Sequence, residues 1–482
     1  MKAFATKTEL LPHQVAAVDK IRPTRVGALF MDMGTGKSRT AIEIARDRAG
    51  RIDKVIWFCP VPLKETVRQE IVKHTDCCPE RDICVFDDRT NERNVLRAAR
   101  WYVVGIESMS SSARVVATVN KLVTDRSLVI CDESSYIKGH DAIRTRRITH
   151  IASRARYRLA LTGTPLSQGV VDLFAQMNFL SPKILGYRSF YSFAANHLEY
   201  SERYPGMIVQ AHNLGYLAAK IQPYVYQVTK DECLELPEKL YSYRAFSMTW
   251  EQQEYYEMVK QVFLDELAGY DTGYFPDQRR ASIAIFRMFS ALQQVTSGFL
   301  NWQGKWHVFK SARPDTLINA LHDLPDGEKA VIFCKFHYDI DTIREHIATE
   351  FGAGSLASFD GRDNEKRRTA AVKQFRESSD ARFLLVTQST GGHGFNFQDA
   401  ARYAIFYNNG FKYSERLQAE DRLHRIGQTS KVTYIDIYCR CGIEERIDRA
   451  LREKGDAVVR FRGEVEKVKD KKADLKELIK AL

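Results

Sequence analysis

The sequence predicts an α/β protein with two parallel sheets. Short apolar runs alternate with helical patterns in two separate blocks, and this alternation is typical of parallel sheets. The runs of the first block are Val26–Met31, Lys54–Cys59, Trp101–Gly105, Leu128–Cys131 and Tyr157–Leu161. Those of the second block are Lys329–Cys334, Phe383–Thr387, Tyr403–Tyr407 and Val432–Tyr438. A chain of 482 residues is long enough to give each sheet its own core.

The middle of the chain, roughly 183–310, has a pattern that predicts helical protrusions and a linker rather than a third sheet domain. It is rich in aromatic residues, and apolar residues recur at helical spacing in Trp250–Leu267 and Arg279–Val295. The segment Tyr270–Pro276 is predicted to be a loop inside this region.

The tail after Gly463 predicts one amphipathic helix. Its apolar residues recur at steps of three and four, and they are Val465, Val468, Leu475, Ile479 and Leu482, with Lys472 in one position of the seam. Packing onto the second sheet domain is the favoured role, and contact with a partner or with DNA is the alternative. The predicted domains are therefore 1–182, 183–310, 311–455 and 456–482.

Composition favours an intracellular protein. The sequence has no run of about 18 apolar residues, so no transmembrane helix is expected, and its first residues have no secretory apolar core. The 9 cysteines lack metal-ligand spacing, which argues against zinc and fits a reducing compartment. A formal charge of +11 agrees with a nucleic-acid partner, although many basic proteins bind none. We expect a cytoplasmic or nucleoid-associated location, or the host cytoplasm for a viral protein.

A glycine-rich loop at Met31–Ser38 predicts a site for a nucleoside triphosphate. It follows an apolar strand and precedes a predicted helix, Arg39–Ala45, whose N-terminus favours anions. Glycines in Gly34-Thr35-Gly36 let successive N–H groups point at phosphate oxygens. Lys37 then supplies a charge for the β- and γ-phosphates, and Ser38 supplies a hydroxyl ligand for Mg²⁺. The first glycine of the general P-loop pattern is replaced by Met31.

An acidic pair follows another apolar strand, in Leu128–Ser135. Asp132 is expected to hold Mg²⁺, directly or through water. Glu133 is expected to orient and deprotonate the attacking water. The alternative is a solvated Asp–Glu pair at a strand end, which is common in proteins generally.

Two arginines near the C-terminus predict a second part of the same site. Arg422 and Arg425 are three residues apart, and Gln418 and Gln428 flank them. We expect their guanidinium groups to reach the γ-phosphate after the two lobes close, as arginine fingers do. The alternative is an ordinary charged helix surface.

Together these residues resemble the motifs of superfamily-two helicases and, within them, the Swi/Snf-type remodelling and translocating ATPases. The likeness follows the family's order over nearly the whole chain. In the first half, Gln14 resembles the glutamine that reads the adenine edge, and Asp32–Ser38 resembles motif I. Cys59-Pro60 is similar to motif Ia, Gly105–Ser108 stands where motif Ib belongs, Asp132-Glu133 is like motif II, and Leu161–Pro165 is like motif III.

In the second half, Leu236–Lys239 is similar to the linker signature between the lobes. Val331–Lys335, and Asp360-Gly361 with Arg368, resemble the motif IV region. Thr387–Asn396, which includes Gly394, is like motif V, and Gln418–Gln428 is like motif VI. The Arg-Ile-Gly-Gln ending is characteristic of the Swi/Snf branch, and the overall size resembles compact bacteriophage-encoded members.

Two departures from the family pattern affect its implied mechanism. Ser135 stands where the family often has a histidine, and serine cannot titrate near neutrality, so any coupling through that position must be built differently. After Pro165 the chain reads Leu-Ser-Gln-Gly, where an asparagine is common. This weakens expectations of how motif III contacts the second lobe.

The resemblance implies two RecA-like lobes with helical insertions, the cofactors ATP and Mg²⁺, and DNA as partner. We expect ATP hydrolysis coupled to movement along duplex or branched DNA, remodelling protein–DNA complexes or forks. Candidate DNA contacts, which carry no sequence information, are Lys64, Thr66, Ser108, Gln388, Ser389 and Thr390. Gly394 and Gln418 are expected near the nucleotide.

Two alternatives stay open. One is a strand-separating helicase, because motifs do not reveal a wedge. The other is a nucleotide-switched binding module that recruits replication or recombination proteins. Glu133 and the two arginines argue against the module, because a pure binder does not need them.

Overall fold

The computed structural model describes residues 4–166, 169–200, 208–268, 278–388 and 395–457, together with 460, 461, 464, 477–479, 481 and 482. The described chain forms two compact units, Met1–Glu235 and Leu236–Leu482. Several predicted features lie outside the described residues: the loop 270–276, Ser389, Thr390, Gly394 and most of the C-terminal helix.

The first unit is built on a parallel sheet in the order β3-β4-β2-β5-β6-β1-β9. Its strands, with the separate hairpin β7–β8, are β1 Val26–Met31, β2 Lys54–Cys59, β3 Ile83–Val85, β4 Trp101–Gly105, β5 Ser127–Asp132, β6 Tyr157–Thr162, β7 Leu198–Tyr200, β8 Ile208–Ala211 and β9 Val225–Val228. The helices of this unit are α1 Pro12–Ile21, α2 Lys37–Asp47, α3 Lys64–His74, α4 Pro79–Asp82, α5 Ser108–Ser111, α6 Ala113–Leu122, α7 Ile143–Ala152, α8 Val171–Leu180, α9 Pro182–Leu185, α10 Phe190–His197, α11 Leu214–Ile221 and α12 Lys230–Cys233.

The second unit is built on another parallel sheet, in the order β10-β17-β16-β13-β15-β14. Its strands, with the separate hairpin β11–β12, are β10 Lys239–Phe246, β11 Phe299–Trp302, β12 Lys305–Val308, β13 Ala330–Cys334, β14 Leu356–Phe359, β15 Phe383–Thr387, β16 Tyr403–Phe406 and β17 Val432–Cys439. Its helices are α13 Trp250–Ala268, α14 Gln278–Thr296, α15 Arg313–His322, α16 His337–Phe351, α17 Glu365–Glu377, α18 Tyr413–Glu420 and α19 Gly442–Arg452. Short 3₁₀ helices in the two units are Ala49–Arg51, Val61–Leu63, Ser134–Ile137, Gln222–Tyr224 and Ala353–Ser355.

Each large sheet is covered on both faces, which explains why its strands read as continuous apolar runs. In β1, Ala28 and Phe30 belong to one buried cluster, whereas Leu29 and Met31 belong to another on the opposite face. The second sheet also separates two buried clusters. The predicted fold class of two RecA-like parallel-sheet lobes is therefore confirmed.

The region expected to hold protrusions and a linker also supplies an edge strand to each sheet. The two long helices α13 and α14 are present, as the periodicity predicts. However, β9 extends the first sheet beside β1, and β10 extends the second beside β17. The boundary between the units falls after Glu235, inside the segment 183–310. The four-part division stays a prediction.

Among the described residues, no helix combines the length and the hydropathy that crossing a bilayer requires.

Candidate nucleotide site and arginine pair

The glycine loop between β1 and α2 has the backbone that an anion site requires. Gly34 and Gly36 have φ values of 79° and 87°, in the left-handed region that glycine adopts without strain. Gly36 is the N-cap of α2, so the first N–H groups of that helix lie directly after the loop. The loop therefore brings backbone donors and the helix dipole to one place.

Two side chains from α1 hold this loop. Gln14, which is buried, donates from Nε2 to the carbonyl oxygen of Thr35 at 3.1 Å and accepts from the Leu11 N–H at 3.0 Å. His13 Nε2 lies 2.8 Å from the same Thr35 oxygen. A Cβ on Gly36 would overlap the Gln14 amide, so the loop and α1 fit closely. His13 belongs to none of the predicted site residues, and its position beside Gln14 is the sequence signal that points to it.

Lys37 lies over the end of β1. Its ammonium group donates to the carbonyl oxygens of Met31 at 2.8 Å and Asp32 at 3.1 Å. Thr35 is buried, and its hydroxyl donates to the Asp32 carbonyl at 2.7 Å. Ser38, in the first turn of α2, is half-buried. The loop thus places a charge and a hydroxyl at the same edge of the sheet.

Asp132, the last residue of β5, is buried at that edge. Its carboxylate accepts from Trp57 Nε1 at 3.3 Å and from the Glu133 N–H at 3.0 Å. Burial raises the pKa of Asp132 well above its usual range, and neighbouring Glu133 raises it further, whereas Lys37 lowers it. Lys37 follows β1 and Asp132 ends β5, and the carboxyl ends of these parallel strands meet at one edge of the sheet. A divalent cation would favour the charged carboxylate as Lys37 does.

The donors present fit a Mg²⁺ ion that arrives with a nucleotide. Magnesium usually keeps several waters and takes one or two protein carboxylates together with substrate phosphates. Asp132 supplies such a carboxylate, and Ser38 supplies a hydroxyl. Within the described ranges, no three His, Cys, Asp or Glu side chains cluster in a way that could hold a metal by themselves.

Glu133 has an unusual backbone. Its φ and ψ are 48° and 57°, a left-handed conformation that costs a non-glycine residue about 1–2 kcal/mol. It is the N-cap of the 3₁₀ helix Ser134–Ile137, and its side chain is half-buried. Strain of this kind persists only where the surrounding structure holds it.

In the second unit, Arg422 and Arg425 converge on one amide. Both guanidinium groups donate from Nη1 to Asn396 Oδ1, that of Arg422 at 3.3 Å. The Phe397 N–H donates to the Arg422 carbonyl at 2.7 Å, which fixes the two segments to each other. Two positive groups at one neutral acceptor repel each other, so an anion beside them would be stabilised.

The segment carrying these arginines is anchored by buried ion pairs. Arg416 bonds Glu420 at 2.8 Å and Asp436 at 3.0 Å, and its guanidinium lies 3.5 Å from the Phe406 ring centroid. Glu420 also accepts from Lys239 of β10 at 2.9 Å. The strand that follows the unit boundary is thus bonded to the helix that precedes the arginines.

Gln428 closes the segment from the other side. It is buried, and its Nε2 donates to the carbonyl oxygens of Leu423 and Gln398, each at 3.2 Å. Gln418 is half-buried on α18. Gln428 is therefore hydrogen-bonded to the backbone of its own segment and of the segment at Gln398. The role of Gln418 near the nucleotide stays a prediction.

The candidate DNA contacts divide into separate groups. Lys64 is half-buried and donates to the Phe86 carbonyl at 2.6 Å, and Thr66 and Ser108 are half-buried near the starts of α3 and α5. Gln388 is buried, and its Oε1 accepts from the Gly410 N–H at 2.9 Å, so it supports a neighbouring turn. Ser389 and Thr390 lie outside the described residues. All of these assignments stay predictions.

The fold and the motif-bearing ends of its strands define a class of protein, the two-lobed ATPases of helicase superfamily two. The chain belongs to the SNF2-related domain family, which it matches over residues 18–296. It also matches the helicase conserved C-terminal domain over residues 312–427. The resemblance to Swi/Snf-type ATPases is thereby confirmed.

Its relatives are ATP-dependent helicases and chromatin remodellers by name. It is 26% identical over 359 residues to an uncharacterized ATP-dependent helicase of Mycoplasma pneumoniae, covering 73% of this chain and 32% of the relative. It is 23% identical to a Danio rerio chromodomain-helicase-DNA-binding protein 1-like, covering 86% and 40%. For the ISWI chromatin-remodeling complex ATPase ISW1 of Saccharomyces cerevisiae the identity is 22%, covering 98% and 42%. The chain thus spans less than half the length of these relatives.

Among solved structures, the Sulfolobus solfataricus SWI2/SNF2 ATPase core in complex with dsDNA is similar. The TM-score is 0.44 at 21% identity, and the match covers 100% of this chain and 96% of that one.

Proposed function

We propose that this chain is a DNA-dependent ATPase that moves along duplex or branched DNA and remodels protein–DNA complexes or forks. The observation that carries the ATPase part is the edge of the first sheet. There the glycine loop, Lys37 and the buried Asp132 carboxylate lie together, and Lys37 lowers the pKa of Asp132.

In this proposal each residue of the first unit has one task. Backbone N–H groups after Gly34 and Gly36 bind phosphate oxygens, and Lys37 moves from the β1 carbonyls to the triphosphate. Gln14 contacts the base from its place beside the loop. When bound, Mg²⁺ would neutralise negative charge on the triphosphate. Asp132 and Ser38 hold that ion, and Glu133 orients the attacking water and accepts its proton.

Arg422 and Arg425 complete the reaction from the second unit. Charge develops on the transferred phosphoryl group, and arginine fingers that stabilise it contribute about 10³–10⁵ in rate. Their shared acceptor, Asn396, supports this role because it holds two guanidinium groups ready for an anion. The 3.0 Å Arg416–Asp436 pair keeps the preceding helix α18 fixed to the sheet while they act.

DNA is the proposed partner. The Danio rerio relative is named as DNA-binding, and a net charge of +11 favours a phosphate backbone. Lys64, Thr66 and Ser108 remain the candidate contacts of the first unit. A cytoplasmic or nucleoid-associated location belongs to the same proposal.

The deciding measurement is the ATPase rate of the purified chain without DNA and with single-stranded, duplex, forked and four-way DNA. We expect duplex or branched DNA to raise kcat at least tenfold. An unchanged rate with every DNA would contradict the motor. Displacement of a triplex-forming strand without separation of the duplex would identify a translocase, whereas release of a duplex strand would identify a helicase.

A further inference from the structure

A single buried amide interrupts the apolar helix α8. Gln176 is fully buried, and its neighbours Leu173 and Met177 belong to the core of the first unit. A buried amide without partners costs about 1–3 kcal/mol, so its hydrogen bonds decide whether the position is tolerated. Gln176 has partners for both its oxygen and its nitrogen.

The amide oxygen of Gln176 reaches the chain next to Glu133. It accepts from the hydroxyl of Ser134 at 2.7 Å, and Ser134 is itself fully buried. Ser134 is the first residue of the 3₁₀ helix that Glu133 caps. Ser134 is bonded directly to Glu133 in the chain, so holding Ser134 restricts the backbone from which the Glu133 side chain extends.

The amide nitrogen of Gln176 reaches the turn after β6. It donates to the carbonyl oxygen of Pro165 at 2.8 Å and to that of Asp172, one helical turn earlier, at 3.0 Å. Pro165 ends the Leu161–Pro165 segment, and the Thr164 N–H donates to the Thr162 hydroxyl at 3.1 Å within it.

That turn also packs against the glycine loop. A Cβ on Gly163 would lie 3.2 Å from the backbone nitrogen of Met33 and 3.4 Å from the carbonyl oxygen of Met31. The carbonyl of Met31 is one of the acceptors of Lys37. Gln176 therefore bridges Ser134, the residue after Glu133, and a turn that packs against the glycine loop.

We propose that Gln176 is a positioning residue, which couples Glu133 to the Leu161–Pro165 turn through Ser134 and Pro165. The inference rests on the proposed function, in which Glu133 orients water. Ser135, the fourth residue of this acidic motif, has no side chain that titrates near neutral pH. The Ser134–Gln176 hydrogen bond instead connects the motif to helix α8. A shift of the turn then changes the position of the Glu133 carboxylate. Misplacing a catalytic group by about 1 Å can reduce a rate about 100-fold.

A double-mutant cycle tests this proposal: Gln176→Met, Ser134→Ala and both together. Each single variant leaves one polar group of the Ser134–Gln176 pair unpaired, and the double variant removes both groups. Because the Pro165 carbonyl loses its donor both in Gln176→Met and in the double variant, Tm should be lower in Gln176→Met than in the double variant. A positioning role predicts that kcat of all three falls about 10- to 100-fold, with the Kd for ATP within about twofold of the original. The measurements are Tm, kcat with and without DNA, and binding of a fluorescent ATP analogue.

Recovery of kcat together with Tm in the double variant would overturn the proposal, because the pair would then be structural only. Unchanged kcat in the single variants would overturn it as well. Should Gln176→Met fail to fold, Ser134→Ala removes the same hydrogen bond and decides the question alone.

Gln252→Met is the matched control, since Gln252 is buried and donates to the Val295 carbonyl at 2.6 Å in the other unit. It should lower Tm and leave kcat unchanged.

The variant Glu133→Gln separates this inference from the proposed function. If it keeps full turnover, the assignment of Glu133 fails, and this inference fails with it. If it loses turnover while Gln176→Met keeps it, only the positioning role fails.

Discussion

Glu133 combines a strained backbone with a half-buried carboxylate, beside a buried aspartate. We predict that Glu133→Gln keeps ATP binding and lowers kcat about 10²–10⁴-fold, because a glutamine amide cannot accept the proton of the attacking water. Single-turnover ATP hydrolysis measures the loss, and equilibrium binding of a fluorescent analogue measures affinity.

The control for that variant is Glu377→Gln. The Glu377 side chain is 67% exposed on α17 and lies 3.8 Å from Lys373, so its replacement should change neither quantity. Normal turnover in Glu133→Gln would show that another group activates water.

Asn396 offers a second test at the scale of single residues. We predict that Asn396→Asp lowers kcat at least tenfold, because a carboxylate between Arg422 and Arg425 would bind them and compete with phosphate. The measurement is kcat at saturating ATP and DNA. Asn364→Asp is the control, since Asn364 caps α17 by accepting the Arg367 N–H at 3.0 Å, and aspartate caps equally well. Equal kcat in the two variants would argue against a joint role of the arginines.

Side-chain contacts were the part of the site that sequence could not supply. The loop residues, Asp132 and Glu133 are contiguous with their strands, so spacing was enough to find them. His13 and Gln176 act through hydrogen bonds to residues 22 and 42 positions away. Such pairings depend on the packing of α1 and α8, which no local pattern encodes.

At the scale of secondary-structure elements, burial separates the strands that the sequence predicts from those that it does not. β1, β2, β4 and β15 have the predicted bounds, because a strand covered on both faces is a continuous apolar run. β9 and β10 were missed because they lie at sheet edges. The residues of β10 are mostly half-buried or exposed, and polar residues interrupt the apolar ones, so the segment lacks the continuous apolar run of a central strand.

Helix α18 depends on its buried ion pairs. We predict that Arg416→Met lowers the free energy of unfolding by about 3–5 kcal/mol, because Glu420 and Asp436 would lose their buried partner. Urea denaturation followed by circular dichroism measures this change. Arg440→Met is the control, because Arg440 is exposed after β17 and its loss should change stability by less than about 0.5 kcal/mol. A similar small change in Arg416→Met would show that the pairs contribute no net stability.

Helix α16 carries a buried carboxyl near its start that gives the second unit a pH dependence. Burial raises the pKa of Asp339 to about 7, although a 2.7 Å hydrogen bond from Asn408 opposes the shift. A folded pKa above the unfolded value means that the folded state binds more protons between about pH 4 and 7, so its stability falls as pH rises through that range. Burial also lowers the pKa of nearby Lys335 to about 7. The unfolded state then binds more protons above about pH 7, so this group makes stability rise with pH in that range.

We predict that Asp339→Asn flattens the decrease in stability between about pH 5 and 7. The asparagine has no proton to lose, and its amide oxygen can still accept from Asn408. Urea denaturation at several pH values measures the slope. An unchanged slope in the variant would assign the dependence to other groups.

At the scale of the whole molecule, the charge of +11 predicts how the chain meets DNA. Phosphate contacts release counterions, so affinity should fall linearly on a logarithmic salt scale, with a slope of about −0.9 for each contacted phosphate. Fluorescence anisotropy with two duplexes of unrelated sequence measures both slope and specificity. We expect similar affinities and a steep slope; a salt-independent affinity would contradict backbone binding.

Strand β10 has a mechanical consequence. It begins three residues after the unit boundary and pairs in parallel with β17 over eight residues, from Lys239 to Phe246. Tension arriving through the preceding chain acts along the strand axis, so the whole ladder bears the load at once instead of unzipping bond by bond. A pulling experiment on the tethered chain should therefore find the second sheet resisting high forces at this edge, while Lys239 passes part of the strain directly to Glu420.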